Sequence, residues 1–221
     1  MKIFKFGLSL VLVLATFYTL NTKLGSLPPL GKFLSPNQGV WQNEITESEN
    51  NKDISLKGLI APVTVKYDEH LIPHIFAENK IDLYKAQGYV TAQHRLWQME
   101  FQTYAAAGRL SEIVGETALN YDRTERRRGM VYGAEQKLKN WETDQEVIDY
   151  VDAFADGVNQ YINSLKPSDF PVEYKLLDYA PEQWNRKKTA LLLMYMTKML
   201  AGGDSDLEYT NFLKKYGKLK E

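Results

Sequence analysis

Apolar residues in this chain recur with two different periods. From Asn79 onward Leu83, Ala86, Val90, Trp97, Phe101 and Tyr104 are spaced by threes and fours, with His94 on the same stripe. This spacing predicts a helix that Asn79 caps and Gly108 stops. Val147, Val151, Phe154, Val158, Tyr161 and Leu165 predict a second helix with a polar, acidic opposite face, ended by Lys166-Pro167. Ala190 to Leu200 is apolar nearly all round apart from Thr197 and Lys198, which predicts a buried helix too short to cross a bilayer. Upstream, Val63, Val65 and Tyr67 alternate with Thr64 and Lys66, Asp68 to Leu71 makes a turn, and Pro73 to Ala77 resumes an extended run. That is a strand pair, too small to be stable alone and expected to join a larger sheet. The expected fold class is mainly α with a small β-strand pair. Two other long helices and one strand pair leave part of the apolar helix at 190–200 without cover, which points to a second polypeptide surface.

The first residues follow another pattern. Lys2 and Lys5 precede an apolar stretch from Phe6 to Leu20, interrupted only by Gly7, Ser9, Thr16, Tyr18 and Thr19. Residues 1–22 read as an export signal, either cleaved or kept as a membrane anchor through residues 3–20, and both place the domain outside the cytoplasm. Residues 23–57 read as a connector: Leu27-Pro-Pro-Leu-Gly31 and Ser35-Pro-Asn-Gln-Gly39 are rich in turn formers, and 44–53 is polar and charged. Phe33, Leu34, Val40 and Trp41 are available to dock on the domain. The domain itself spans 58–221.

Composition narrows the chemistry. Twenty-seven basic and 28 acidic side chains leave a net charge of -1, so no electrostatic footprint for nucleic acid exists. The absence of cysteine removes disulfides, thiolate metal sites and a thiol nucleophile. His70, His74 and His94 read respectively as a turn residue, a strand residue and a satisfied core histidine. No metal-binding, nucleotide-binding or nucleophile-elbow motif accompanies them, and Ser111-Glu112 shows no histidine at a fixed spacing. Arg123, Arg126, Arg127 and Arg128, flanked by Asp122 and Glu125, read as ion pairs of a surface rather than an anion site. Ser205-Asp-Leu-Glu208 reads as a capping box opening a helix through Tyr209, Phe212 and Leu213 to Gly217.

Four blocks in order carry a family resemblance: Val63-Thr-Val-Lys-Tyr-Asp-Glu69, Ile72-Pro-His-Ile-Phe-Ala77, Gly88-Tyr-Val-Thr-Ala-Gln-His-Arg-Leu-Trp-Gln-Met-Glu100 and Gly108-Arg-Leu-Ser-Glu-Ile-Val-Gly115. Together they resemble the opening of the penicillin acylases, N-terminal-nucleophile amide hydrolases whose precursors are cut into α and β chains. The resemblance covers roughly Leu59 to Gly217 and implies the α-chain part of an α+β fold, with the β chain and its N-terminal serine absent. It implies no catalytic residue in this chain. Met196, Met199 and Leu200 correspond to the wall of an acyl pocket for an amide substrate. Glu208-Tyr-Thr-Asn211 matches the context of a glutamate that binds a structural calcium between the two chains, so Glu208 is either metal ligand or helix cap, and calcium enters only with a β chain. At the hairpin turn the family commonly carries glycine where this chain has Leu71. Two functions follow: the α-chain portion of an amide hydrolase, inactive without its β chain, or a non-catalytic remnant or membrane-anchored binding protein.

Overall fold

A computed structural model describes residues 2–23, 28–43, 53–201, 203 and 205–217. Its elements in chain order are α1 (Lys2–Asn21), α2 (Leu30–Phe33), β1 (Thr64–Tyr67), β2 (Pro73–Phe76), α3 (Lys80–Ala107), α4 (Ser111–Val114), α5 (Leu119–Arg128), α6 (Met130–Trp141), α7 (Gln145–Ser164), α8 (Val172–Leu177), α9 (Arg186–Ala201) and α10 (Ser205–Tyr216). The fold is mainly α with one small strand pair.

Helix α3 is the spine. Asn79 Oδ1 accepts from the Asp82 amide at 2.9 Å to start it, and Gly108 ends it at φ 63°, the left-handed conformation that glycine adopts without a Cβ penalty. Its partner α7 opens on Asp144, whose carboxylate accepts from the amides of Glu146 and Val147. The two helices approach so closely that a Cβ on Gly157 would stand 1.9 Å from the Lys85 carbonyl oxygen, and one on Gly88 2.1 Å from that of Phe154. Small residues at the crossing let the backbones touch. Around it Ala92, Leu96, Met99, Ala155, Val158, Ile162, Tyr174 and Trp184 form the main core. A second core joins Ala106, Ala107, Ala134, Ala190 and Leu191, where α6 and α9 pack on the end of α3.

Several expectations are corrected. The buried line of this helix is not the predicted one: it runs through Lys85, Gly88, Ala92, Leu96, Met99, Thr103 and Ala106 at spacings of three and four, and it continues past Arg95, where the backbone leaves helical geometry (φ -140°, ψ 18°). His94 therefore faces out rather than into the core, its Nε2 3.0 Å from the Tyr67 hydroxyl. Burial, and then the Arg95 charge, lower its pKa. The helix at 190–200 is not buried all round: only Lys188, Ala190 and Leu191 of α9 are buried, and α6 supplies cover that sequence periodicity did not reveal. Ser205 is already the first residue of α10, so it is not the N-cap of a capping box, and position 204 lies outside the described residues.

The hairpin is an antiparallel pair with Thr64 opposite Phe76 and Tyr67 opposite Pro73, and among the described residues it joins no further strand. Asp68 organises its turn, accepting from the amides of His70 and Ile72 at 2.9 Å each and lying 3.2 Å from His74 Nε2. Leu71 sits at φ 58° with its side chain 67% exposed. Residues 28–43 of the connector lie on the domain: Lys32 pairs with Asp178 at 2.9 Å, and the Asn43 side chain donates to the Phe170 carbonyl at 2.9 Å. Positions 44 to 52 are outside the described residues.

The buried Asp82 carboxylate fastens the start of the domain. It accepts from the amides of Ile60 and Ala61 and from the Asn79 side chain at 2.6 Å. Burial raises its pKa, but those donors and nearby Lys85 outweigh it and hold the group below the usual carboxylate range. A depressed folded pKa means that the stabilisation is complete above about pH 4 and is lost as pH falls through the folded value. Urea titrations from pH 6 downward should show a shallower acid loss of stability in Asp82→Asn than in the parent. The glycine crossing gives a second expectation: Gly157→Ala should cost about 3 kcal/mol, the scale of severe overpacking. Gly133→Ala, which would meet only the flexible Met194 side chain, should stay near the parent in the same denaturation assay.

Candidate functional site

The residues that the sequence singles out for substrate contact lie on one helix, and its placement explains their accessibility. Helix α9 begins where the Asn185 side chain accepts from the Lys188 amide at 3.0 Å. One turn in, the buried Lys188 ammonium reaches Glu100 of α3 at 2.7 Å and Glu182 at 3.2 Å. Glu100 is 1% exposed, and its carboxylate is fully used: Oε1 also accepts from the Glu182 amide at 2.8 Å, and Oε2 from the Tyr174 hydroxyl at 2.7 Å. Burial, then the Glu100 charge, pushes the Tyr174 hydroxyl far above its ordinary pKa, so it remains a donor. Burial works against ionised Glu182, but the Tyr104 hydroxyl, Lys188 and Arg109 outweigh it and lower its pKa.

Ten residues further along α9 a second ion pair repeats the arrangement. Lys198 meets Oε1 of buried Glu125 on α5 at 2.6 Å, and Arg128 meets the same oxygen at 2.8 Å. Burial and the Glu125 charge raise the neighbouring Tyr121 hydroxyl to about 12. At 1.5 Å per residue the two pairs are about 15 Å apart, so they fix both the position and the rotation of α9. Met196, Met199 and Leu200 then project away from the body, 43%, 63% and 80% exposed. Their i, i+3, i+4 spacing makes one continuous apolar strip, and Leu193 adjoins it at 38%. Methionine in such a strip adapts to varied apolar surfaces.

No nucleophilic constellation appears among the described residues. The Ser111 hydroxyl donates to Asp122 at 2.5 Å, an oxygen that also accepts the Ser111 amide, which makes the pair a cap for α4. The histidines are occupied in and beside the hairpin.

A family model described as Penicillin amidase matches residues 62–220. The chain belongs to the penicillin amidase family. It is 40% identical over 131 residues to the Penicillin acylase 2 proenzyme of Pseudomonas sp. (strain SE83), covering 59% of this chain and 16% of that protein. It is 31% identical over 146 residues to the acyl-homoserine lactone acylase QuiP of Pseudomonas aeruginosa, covering 66% and 17%. The chain thus spans about a sixth of the length of these curated relatives. A solved thermostable penicillin G acylase from Alcaligenes faecalis shares its fold with a TM-score of 0.59 at 23% identity, over 71% of this chain and 85% of the solved one.

Glu208 lies on α10, is exposed, and its carboxylate makes no hydrogen bond or ion pair with any described residue. No three acidic or histidine side chains converge among the described residues. Calcium takes six to eight oxygen ligands, so this penicillin amidase chain does not form that shell from its own described residues. The arginine run acts in packing: Arg126 donates to the Gly108 carbonyl at 2.8 Å and Arg128 pairs with Glu125.

Sequence periodicity missed the groups that hold the strip in place, Glu100, Lys188, Tyr174 and Glu125. One signal was present: Glu100 falls between Met99 and Phe101 inside an apolar run, where an unpaired carboxylate is costly. Removing one partner of a buried pair typically costs about 3–5 kcal/mol. Lys188→Met should show a loss of that order in chemical denaturation, and Glu100→Gln with Lys188→Met should recover part of it.

Proposed function

We propose that this chain is the α-chain portion of a penicillin-acylase-type amide hydrolase, supplying scaffold and acyl-pocket wall to a β chain that carries the nucleophile. The observation that carries this reading is the outward strip Met196, Met199 and Leu200 on a helix that two ion pairs pin from behind. A helix so firmly set, with its apolar side turned to solvent, is built to be covered. The exposed Phe76 and Ile72 on the hairpin, and Leu207, Phe212 and Leu213 on α10, extend the same kind of surface. The relative named as a proenzyme supports a processed precursor, and the high coverage of the solved acylase chain supports a separate chain of this size.

In this reading the reaction is acyl transfer from a non-peptide amide to a β-chain N-terminal serine, with that residue's own amine as base. The α chain contributes orientation and exclusion of water around the acyl group. Glu208 would serve as one ligand of an interchain calcium, the remaining oxygens being supplied by the β chain. Helix α1 takes the domain out of the cytoplasm, with Lys2 and Lys5 left on the cytoplasmic side.

The test is co-production with a serine-initiated β segment from the same genetic locus. Alone, the chain should bind a hydrophobic dye, unfold with low cooperativity and hydrolyse neither phenylacetyl nor aliphatic acyl amides. The complex should suppress dye binding and gain turnover. Leaving several large side chains of the strip uncovered forgoes roughly 1.5–3 kcal/mol each, so a rise in melting temperature on assembly is also expected. A dye-silent, sharply cooperative monomer that ignores the β segment would overturn the reading in favour of an independent binding protein.

A further inference from the structure

We propose that α1 is retained as a lipid-embedded helix and that residues 30–43 form a collar which seats Trp41 and Leu34 in the headgroup layer beside it. This inference concerns the opposite end of the chain from the α9 strip and does not depend on the amidase reading. The twenty residues of α1 span about 30 Å, the uncharged run 6–21 accounts for about 24 Å of it, and Lys2 and Lys5 reach the interface of a hydrocarbon core about 30 Å thick through their long stems. Its mean hydropathy is 1.9, and none of it is buried against the domain. No charged residue occurs between Lys5 and Lys23. Its serine, threonine and asparagine side chains look inward to the helix: Ser9 donates to the Lys5 carbonyl, Thr16 to Leu12, Thr19 to Thr16 and Asn21 to Phe17, at 2.9 to 3.0 Å. In hydrocarbon such groups must be satisfied internally, and these are.

The collar begins at the end of that helix. A Cβ on Gly31 would stand 3.1 Å from the Leu20 carbonyl oxygen and from Asn21 Oδ1, so α2 abuts the C-terminus of α1. The chain then turns through Gly39, whose amide donates to the Ser35 carbonyl at 2.7 Å. Trp41 returns alongside, its indole N–H donating to the Leu34 carbonyl at 3.3 Å while the ring remains 65% exposed. An exposed tryptophan and an exposed leucine beside the end of an apolar helix have the chemistry of the bilayer interface, where amphipathic rings concentrate. The domain clasps the collar from behind through buried Lys175. Its ammonium donates to the Gly39 carbonyl at 3.0 Å, to Asn43 Oδ1 at 2.6 Å and to the Ser168 carbonyl at 2.7 Å. Lys175, Asn43 and the Lys32 to Asp178 pair therefore set the domain at a fixed attitude over the membrane.

The experiment uses the full chain in vesicles of phosphatidylcholine and phosphatidylglycerol containing lipids spin-labelled near the headgroup or at the bilayer centre. Intact mass should retain the α1 residues, and the protein should remain with the vesicles after alkaline carbonate. Headgroup-level label should quench a component of tryptophan fluorescence that Trp41→Phe abolishes, and the central label should not. Asn43→Ala, which removes collar bonds without touching the domain core, should keep vesicle attachment and lose most of that quenching. It should also become cleavable by protease within residues 30–43. Lys175→Met should do the same where circular dichroism shows the helices intact. A mature chain that begins beyond residue 23, or quenching that is identical in the parent and in Trp41→Phe, would overturn the proposal.

Discussion

Glu100 is a carboxylate with almost no exposure in the last third of α3, and three separate parts of the chain converge on it. The Lys188 ammonium brings α9, the Tyr174 hydroxyl brings α8, and the Glu182 amide brings the segment between them. A buried charge without such partners would cost several kcal/mol, so the order of assembly is constrained: the group is tolerable only when all three segments have arrived. An apolar residue at this position would still fill space, but it would not specify which turn of α9 faces α3. The direction in which Met196, Met199 and Leu200 point thus follows from a carboxylate far from them in sequence.

Much of the architecture was legible from periodicity because long helices packed on one another write their contacts into spacings of three and four. The boundaries of α3 and α7 followed from Asn79, Gly108 and Pro167, residues whose backbone chemistry acts locally. What was not legible depended on contacts between distant segments. His94 stands outside the core because the buried line passes through Ala92 and Leu96, on either side of it, rather than through His94 and Trp97. Helices α5 and α6 escaped notice because the first is dominated by charge and the second buries chiefly Ala134. The α9 strip illustrates the same limit from the other side: its apolar character was plain, but whether those side chains face inward or outward was decided by the distant partners of Lys188 and Lys198.

The chain presents two apolar surfaces of different kind. Helix α1 is apolar around its whole circumference and satisfies its own polar groups, as a fluid solvent of hydrocarbon demands. The α9 strip occupies one side of a helix whose other side is anchored by ion pairs, as a shaped protein partner demands.

Leu71 adds a thermodynamic consequence. A leucine held in the left-handed region is disfavoured by roughly 1–2 kcal/mol, and here it recovers little through burial, being two-thirds exposed. The hairpin around it is two short strands organised largely by one aspartate. Its local opening equilibrium therefore lies much closer to balance than that of the helical body, and its ordered population is set by its surroundings rather than by its own sequence. The hairpin is a reporter: the exchange rates of the few amides across its ladder measure, without any assay of chemistry, how firmly α3 behind it is held.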